Sequence, residues 1–252
     1  MTDKGVLVVT GGGRGIGAAI VRRAAELGHG VCFSYASDEA SAARLVEDVA
    51  RLGAPSGGRA VAVRGDVGDP EVARHLFDEA ERALGPVTGL VNNAGITGPI
   101  GPFRALDHAV MRRVLDVNVL GTMLCAQEAV RRWEARGATG AIVNVSSIAA
   151  TLGAPNEYVH YAATKGAVES FTIGLAKELA PTGTRVNAVS PGTVYTGIHA
   201  SAGEPDRPAR VVSRVPMGRI GEPDEIAGAV LWLLSDEASY VTGAVLRVSG
   251  GL

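Results

Sequence analysis

The sequence predicts an α/β domain built on one doubly wound parallel sheet, a Rossmann-type fold, and three observations predict it. Short apolar runs recur at 5–10, 30–35, 59–64, 87–91, 140–146, 184–190 and 244–248. Segments of helical periodicity separate them, which is the signature of strand–helix–strand crossovers with helices on both faces of a sheet. The first run leads directly into a glycine-rich stretch, Thr10-Gly11-Gly12-Gly13-Arg14-Gly15-Ile16-Gly17, and an Ala-rich amphipathic segment then reaches Leu27. With 252 residues, 46% hydrophobic but only 4% aromatic, the chain suits a single domain, residues 1–252, whose small side chains let helices pack closely on the sheet.

Charge and cysteine usage exclude several classes of function. The formal net charge is -2, with 24 basic and 26 acidic residues interspersed, so there is no basic stripe for nucleic acid and no basic face for a membrane. Cys32 falls in a predicted strand and Cys125 in a predicted helix, which leaves no disulfide framework and no metal-ligand cluster. The chain enters its first strand within a few residues, and no apolar run approaches transmembrane length. These features lead to the expectation of a cytoplasmic protein with a small-molecule ligand and no catalytic metal.

At a strand–glycine loop–helix junction the first backbone N–H groups of the helix lack intrahelical partners, and the helix dipole adds partial positive charge. Such a loop attracts a pyrophosphate, which glycine lets approach closely. An ATP-type loop is excluded, because Ala18 and Ala19 stand where Lys and Ser/Thr would be needed. The spacing here is T-G-x-x-x-G-x-G, with glycines at 11, 15 and 17. The second strand, Val31 to Tyr35, ends without an acidic residue to take a ribose 2′-hydroxyl, while Arg14 and Ser37 can donate to a 2′-phosphate. NADP is therefore favoured over NAD. Asp38 and Glu39 fit the start of the next helix. After the third strand, Asp69-Pro70 makes a good helix start, so Asp66 is available to the adenine amino group or to a turn. The fourth strand runs into Asn92-Asn93-Ala94-Gly95, a tight backbone path suited to the side of a ligand.

A helix is predicted from about 107 to 133, and Asn118 falls in its middle between Val117 and Val119, where asparagine has poor propensity and needs partners if buried. The fifth strand ends at Ser146-Ser147, and Tyr161 and Lys165 follow within a helix predicted over 157–180. Four residues apart, the phenol and ammonium share one helical face, and a nearby ammonium is expected to lower the phenol's pKa toward neutrality. A serine hydroxyl held close by can orient a substrate oxygen. Such a proton donor and acceptor is what hydride exchange at a carbonyl or carbinol requires. The segment 192–222 is long and irregular, and residues 193–218 are expected to form a substrate lid. It carries His199, Glu204, Asp206 and Arg207, with His199 read as a solvated loop residue. Asn156, Glu157 and His160 near the tyrosine hint at a hydroxylated substrate.

These motifs resemble those of the short-chain dehydrogenase/reductase family over almost the whole chain: the glycine loop, N-N-A-G at 92–95, the Ser147/Tyr161/Lys165 set, and Tyr240-Val241-Thr242-Gly243 before the last strand. The resemblance implies an oxidoreductase that interconverts carbonyl and alcohol, with Tyr161 as general acid or base. It gives Lys165 the nicotinamide ribose, Ser147 the substrate and Asn118 the proton relay through a held water. Cofactor contacts are implied at Gly11, Arg14, Gly15, Ile16, Gly17, Ser37, Asp66, Val67, Asn93, Ala94, Gly95, Pro191, Gly192, Val194 and Thr196. Asn92 is implied to hold the central sheet, and a homotetramer is implied as the assembly. Rival readings are an NAD-linked alcohol or sugar dehydrogenase, a 3-oxoacyl thioester reductase and a dinucleotide sensor without turnover. Tyr158, seven residues before Lys165, also reproduces the Tyr-x6-Lys spacing of the related enoyl reductases, although the serine and the glycine pattern favour Tyr161.

Overall fold

Val6–Val9 (β1) is apolar at every position, and its side chains divide between two cores: Leu7 and Val9 enter one, Val6 and Val8 the other. A strand of this kind must lie in the middle of a sheet covered on both sides. The computed structural model describes residues 4–53 and 55–252, so the chain's first three residues, on which the expectation about its N-terminal start partly rests, lie outside the described residues. Seven strands form one parallel sheet in the order β3-β2-β1-β4-β5-β6-β7. The others are β2 (Gly30–Tyr35), β3 (Arg59–Arg64), β4 (Val87–Asn92), β5 (Ala141–Val145), β6 (Arg185–Pro191) and β7 (Val245–Val248). Each predicted run thus becomes a strand to within about one residue.

The helices are α1 (Gly15–Glu26), α2 (Glu39–Leu52), α3 (Pro70–Leu84), α4 (His108–Leu115), α5 (Gly121–Ala135), α6 (Ala149–Leu152), α7 (Val159–Leu179), α8 (Ile198–Ser201), α9 (Arg207–Val211) and α10 (Pro223–Leu234). Side chains of α1, α2 and α10 build the core on one face, and those of α3, α5 and α7 build the core on the other. Asp38 and Asp69 start α2 and α3 as expected, accepting from the backbone N–H groups of Ser41 and Glu71 at 3.0 Å each. The strand order reverses between β1 and β4, and this switch point opens a crevice beyond the carboxyl ends of the strands.

The helix predicted over 107–133 is interrupted. Between α4 and α5 the chain makes one π-helical turn, Asp116–Leu120, centred on Asn118. A π-turn inserts one residue into the helical ladder and is common beside functional sites. On the same side of the sheet Trp133 is fully buried at the end of α5, and its indole N–H donates to the Val87 carbonyl at 2.8 Å. The indole lies so close to Gly140 that a Cβ there would fall 2.3 Å from the ring. Trp133→Ala is expected to destabilise the fold by about 3–5 kcal/mol through the cavity it leaves, the Val87 carbonyl keeping its second donor, Arg136. Urea unfolding checks this; a loss below about 1 kcal/mol would show that this corner does not hold the sheet.

Candidate active site

Three strand ends shape the glycine loop before any ligand is considered. Ser34 at the end of β2 accepts the Gly11 N–H at 3.0 Å. Thr10 Oγ1 accepts the N–H groups of Asn93 and Ala94 at 3.0 Å each, tying the loop to the strand beyond the switch point. The Asn93 amide in turn donates to the carbonyls of Thr10 and Gly11. These N–H groups brace the loop, and Asn93 also lines the cleft at the strand ends. Gly11 adopts φ +63° and Gly15 φ +54°, conformations that L side chains rarely take. A Cβ at Gly17 would meet the Gly11 carbonyl oxygen at 2.3 Å and the Asn93 amide at 2.6 Å. No side chain caps the start of α1, which begins beside Arg14 in extended backbone. The loop is thus a cradle that only glycine can line, with the first turn of a helix at its base, and it fits a pyrophosphate.

From this cradle a cleft of about 300 Å³ runs along the strand ends. Gly11, Arg14, Gly15, Ile16, Ser37, Asp66 and Val67 line one end; Ala94, Gly95, Ser147, Tyr161 and Lys165 line the middle; Pro191, Gly192, Val194 and Thr196 close it from β6. Asp66 does less than its position suggested. Its Oδ1 accepts the Gly68 N–H at 3.0 Å in a turn, and Oδ2 pairs with Arg113 of α4 at 2.5 Å. The turn reading therefore holds beside any contact with adenine. Arg113, unremarked in the sequence, lines the same part of the cleft.

At the centre, Tyr161 is 8% exposed and Lys165 4% exposed, on one face of α7. The ammonium donates to the Val145 carbonyl at the end of β5, at 2.7 Å, and lies 5.6 Å from the centre of the Tyr161 ring. Gly95 packs beside it: a Cβ there would stand 3.4 Å from Nζ, an ordinary contact. Burial drives both groups away from their ordinary values. It pulls the lysine down to about 8, with Glu169 opposing from the next helical turn. It pushes the phenol up to about 12, with the Ser147 hydroxyl acting in the opposite direction. The expectation of a phenol lowered by its lysine is thus reversed, because desolvation of the phenolate outweighs the Ser147 hydrogen bond and the positive charge of Arg207. At neutral pH Tyr161 is a phenol with a proton to give.

The neighbouring serines separate cleanly. Both line the cleft, but Ser146 is buried and donates to Glu169 at 2.8 Å, whereas the Ser147 hydroxyl bonds the Tyr161 phenol. Asn118 is fully buried and its side chain is fully committed. Oδ1 accepts the Ile96 N–H at 2.9 Å, and Nδ2 donates to the Ile96 carbonyl and to Thr164 Oγ1. Thr164 then donates to the Tyr161 carbonyl at 2.7 Å. The amide acts as a brace between the strand-end loop and α7. Asn92 holds the central sheet, donating to Asn144 Oδ1 at 2.9 Å.

Tyr158 stands at the N-cap of α7 without capping it through its side chain, and meets Tyr161 edge to face with centroids 5.3 Å apart. Two polar residues credited to a hydroxylated substrate have protein partners instead: Glu157 binds Arg207 and Arg210, and His160 Nε2 contacts the Thr97 carbonyl. His199 is not the solvated residue expected. It lines the cleft, bonds the Val194 carbonyl at 3.1 Å, and burial lowers its pKa. Its neighbourhood is set by packing of the 192–222 segment on distant residues, as in the Ile100 N–H bond to the Ala202 carbonyl, which no local pattern encodes.

The crevice, the cradle and the buried phenol define a dinucleotide-binding oxidoreductase with its reactive end at β5 and α7. Residues 11–252 match the family model described as enoyl-(acyl carrier protein) reductase. The chain is 41% identical to an L-rhamnose 1-dehydrogenase (NAD(P)(+)) of Azotobacter vinelandii, over 100% of this chain and 97% of that one. A short-chain type dehydrogenase/reductase from Mycobacterium ulcerans superposes with a TM-score of 0.88 at 32% identity, covering 99% of this chain and 90% of that chain. A blue fluorescent protein from a metagenomic library, solved in complex with NADPH, gives 0.87 at 35% identity over 99% and 98%. The protein belongs to the short-chain dehydrogenase/reductase family. It is an NAD(P)-dependent oxidoreductase acting between alcohols and carbonyls.

Gly17→Ala places a Cβ against the loop's own backbone and is expected to weaken NADPH binding at least tenfold while the protein stays folded. Fluorescence titration of the nucleotide measures it; unchanged affinity would show that the glycine loop is not the cradle.

Proposed function

We propose that the chain is an NADP(H)-dependent carbonyl reductase acting reversibly, with Tyr161 as the group that gives a proton to the substrate oxygen and takes it back. The observation that carries this reading is the buried phenol of Tyr161 beside the Ser147 hydroxyl, one helical turn from the Lys165 ammonium. When bound, the nicotinamide cofactor supplies or accepts the hydride. Ser147 hydrogen-bonds the substrate oxygen and holds it toward Tyr161. The phenol donates as negative charge develops on that oxygen, so the proton is delivered where the carbonyl needs it. Lys165, fixed by Val145, supplies positive charge that stabilises the tyrosinate once the proton has left and is placed to hold the nicotinamide ribose. Asn118 serves as a positioning residue through Ile96 and Thr164.

Preference for NADP rests on Arg14 and Ser37 at the mouth of the cleft and on Asp38, whose carboxylate is engaged by the start of α2. Residues 193–218 supply Val194, Thr196, Ile198, His199, Ala202 and Arg207 to the cleft wall, in keeping with a substrate lid. Exposed Leu120 and Met123 by α5 and Ile173 on α7 offer apolar contacts for the homotetramer that the family resemblance implies. The related Tyr-x6-Lys reading, reduction of a carbon–carbon double bond, is less well supported, because Tyr158 lies outside the helix that carries Lys165.

Tyr161→Phe is expected to lower turnover of a ketone panel by about 10²–10⁴-fold with NADPH affinity unchanged. Full activity in this variant, or a loss confined to Tyr158→Phe, contradicts the assignment. Reduction should hold steady up to about pH 8 and decline above it as Lys165 loses its proton; a pH–rate profile that stays flat to pH 10 removes the lysine from the reaction. NADPH is expected to bind at least tenfold more tightly than NADH in fluorescence titration, and the opposite order reverses the cofactor preference.

A further inference from the structure

Arg207 opens α9 within the 192–222 segment, yet it is a cleft residue: its side chain is only 13% exposed and lines the cavity beside Tyr158, Ile100 and Ala202. The guanidinium stacks on the Tyr158 ring with its carbon 5.1 Å from the ring centroid, and Tyr158 itself meets the ring of Tyr161. One aromatic side chain therefore separates this cation from the reacting phenol. Its influence reaches the site: the positive charge favours the ionised form of Tyr161 and disfavours protonation of His199.

The donors of Arg207 are unevenly used. Nε and Nη2 both donate to the same Glu157 oxygen, at 3.1 and 2.7 Å. The second Glu157 oxygen is taken by Arg210 at 3.0 Å, which also approaches Glu204. Nη1 has no protein acceptor among the described residues. Glu157 thus fixes the plane of the guanidinium while being shared between two arginines, and it does not exhaust the charge or the donors of Arg207. A planar, oriented and largely desolvated guanidinium with a spare N–H edge is suited to a carboxylate.

We propose that Arg207 is the specificity-determining residue of the substrate pocket and that the substrate class is ketones, and the matching alcohols, that carry a carboxylate. The proposal rests on the carbonyl–alcohol reading of Tyr161. In this pose the reacting oxygen meets Ser147 and Tyr161, the hydrocarbon body lies along the Tyr158 ring and Ile100, and the carboxylate meets Nη1 of Arg207. Glu157 acts as a positioning residue for the guanidinium. The same arrangement discriminates against substrates that place an uncharged apolar group at this end, because they would cover a guanidinium without replacing its hydration.

Binding separates this proposal from turnover. In the NADPH complex of the wild-type protein, calorimetric titration with cyclohexanecarboxylate is expected to show at least tenfold tighter binding than with cyclohexanecarboxamide, which has nearly the same shape. Arg207→Gln should bring the two affinities together, and Arg207→Lys should restore part of the preference; circular dichroism checks that each variant is folded. Equal affinities in the wild type, no binding of either probe, or a preference that survives Arg207→Gln overturns the proposal. Kinetics with 4-oxocyclohexanecarboxylate and its carboxamide test the underlying reading separately. Reduction of both with equal KM leaves carbonyl reduction standing and defeats the role of Arg207, whereas carboxylate binding without NADPH oxidation by any ketone defeats the carbonyl reading alone.

Discussion

An ammonium buried between a sheet and a helix is the constraint on which the site depends. Lys165 has one backbone acceptor, the Val145 carbonyl at the last residue of β5, and an acidic neighbour, Glu169, one turn further along α7. Burying a cation costs free energy unless partners offset it, and here the partners come from two different elements. The position of α7 over the end of β5 is thereby fixed, and with it the phenol one turn earlier. Asn118 completes the constraint from the other side by tying Ile96 to Thr164.

The two ends of the cleft solve different electrostatic problems. At the glycine loop, anion binding needs no buried charge, because backbone N–H groups and a helix start provide the field and Arg14 adds charge at the rim. At the other end, charge is brought in deliberately and held by pairs: Lys165 by a carbonyl, Arg207 by Glu157 and an aromatic face. Burial makes the phenol a proton donor at neutral pH, and the same burial loosens the proton on the lysine beside it.

Much of the fold could be read from the sequence because parallel strands are apolar on both faces and so stand out as continuous runs. The glycine loop and the Ser147, Tyr161 and Lys165 set were legible as well, since spacing alone places an i, i+4 pair on one helical face. What spacing could not show was depth. The lysine's proximity suggested a lowered phenol, and burial reversed the direction. The π-turn at Asp116–Leu120 adds one residue to a helix without breaking its apolar pattern. His199 and Arg207 lie in a segment without periodicity, and their burial comes from contacts with Glu157, Tyr158 and Val194. Asp66 shows the same limit, because its partner Arg113 comes from α4, 47 positions along the chain.

The chain holds only three lysines, Lys4, Lys165 and Lys177, which makes the central ammonium directly observable. Nitrogen-15 NMR of the lysine side chains across a pH titration reads each ammonium separately. Lys165 is expected to lose its proton near pH 8 and to be the resonance lost in Lys165→Met. A Lys165 resonance that keeps its proton up to the ordinary lysine value of 10.5 would contradict the buried ammonium and with it the placement of Tyr161 that follows from it.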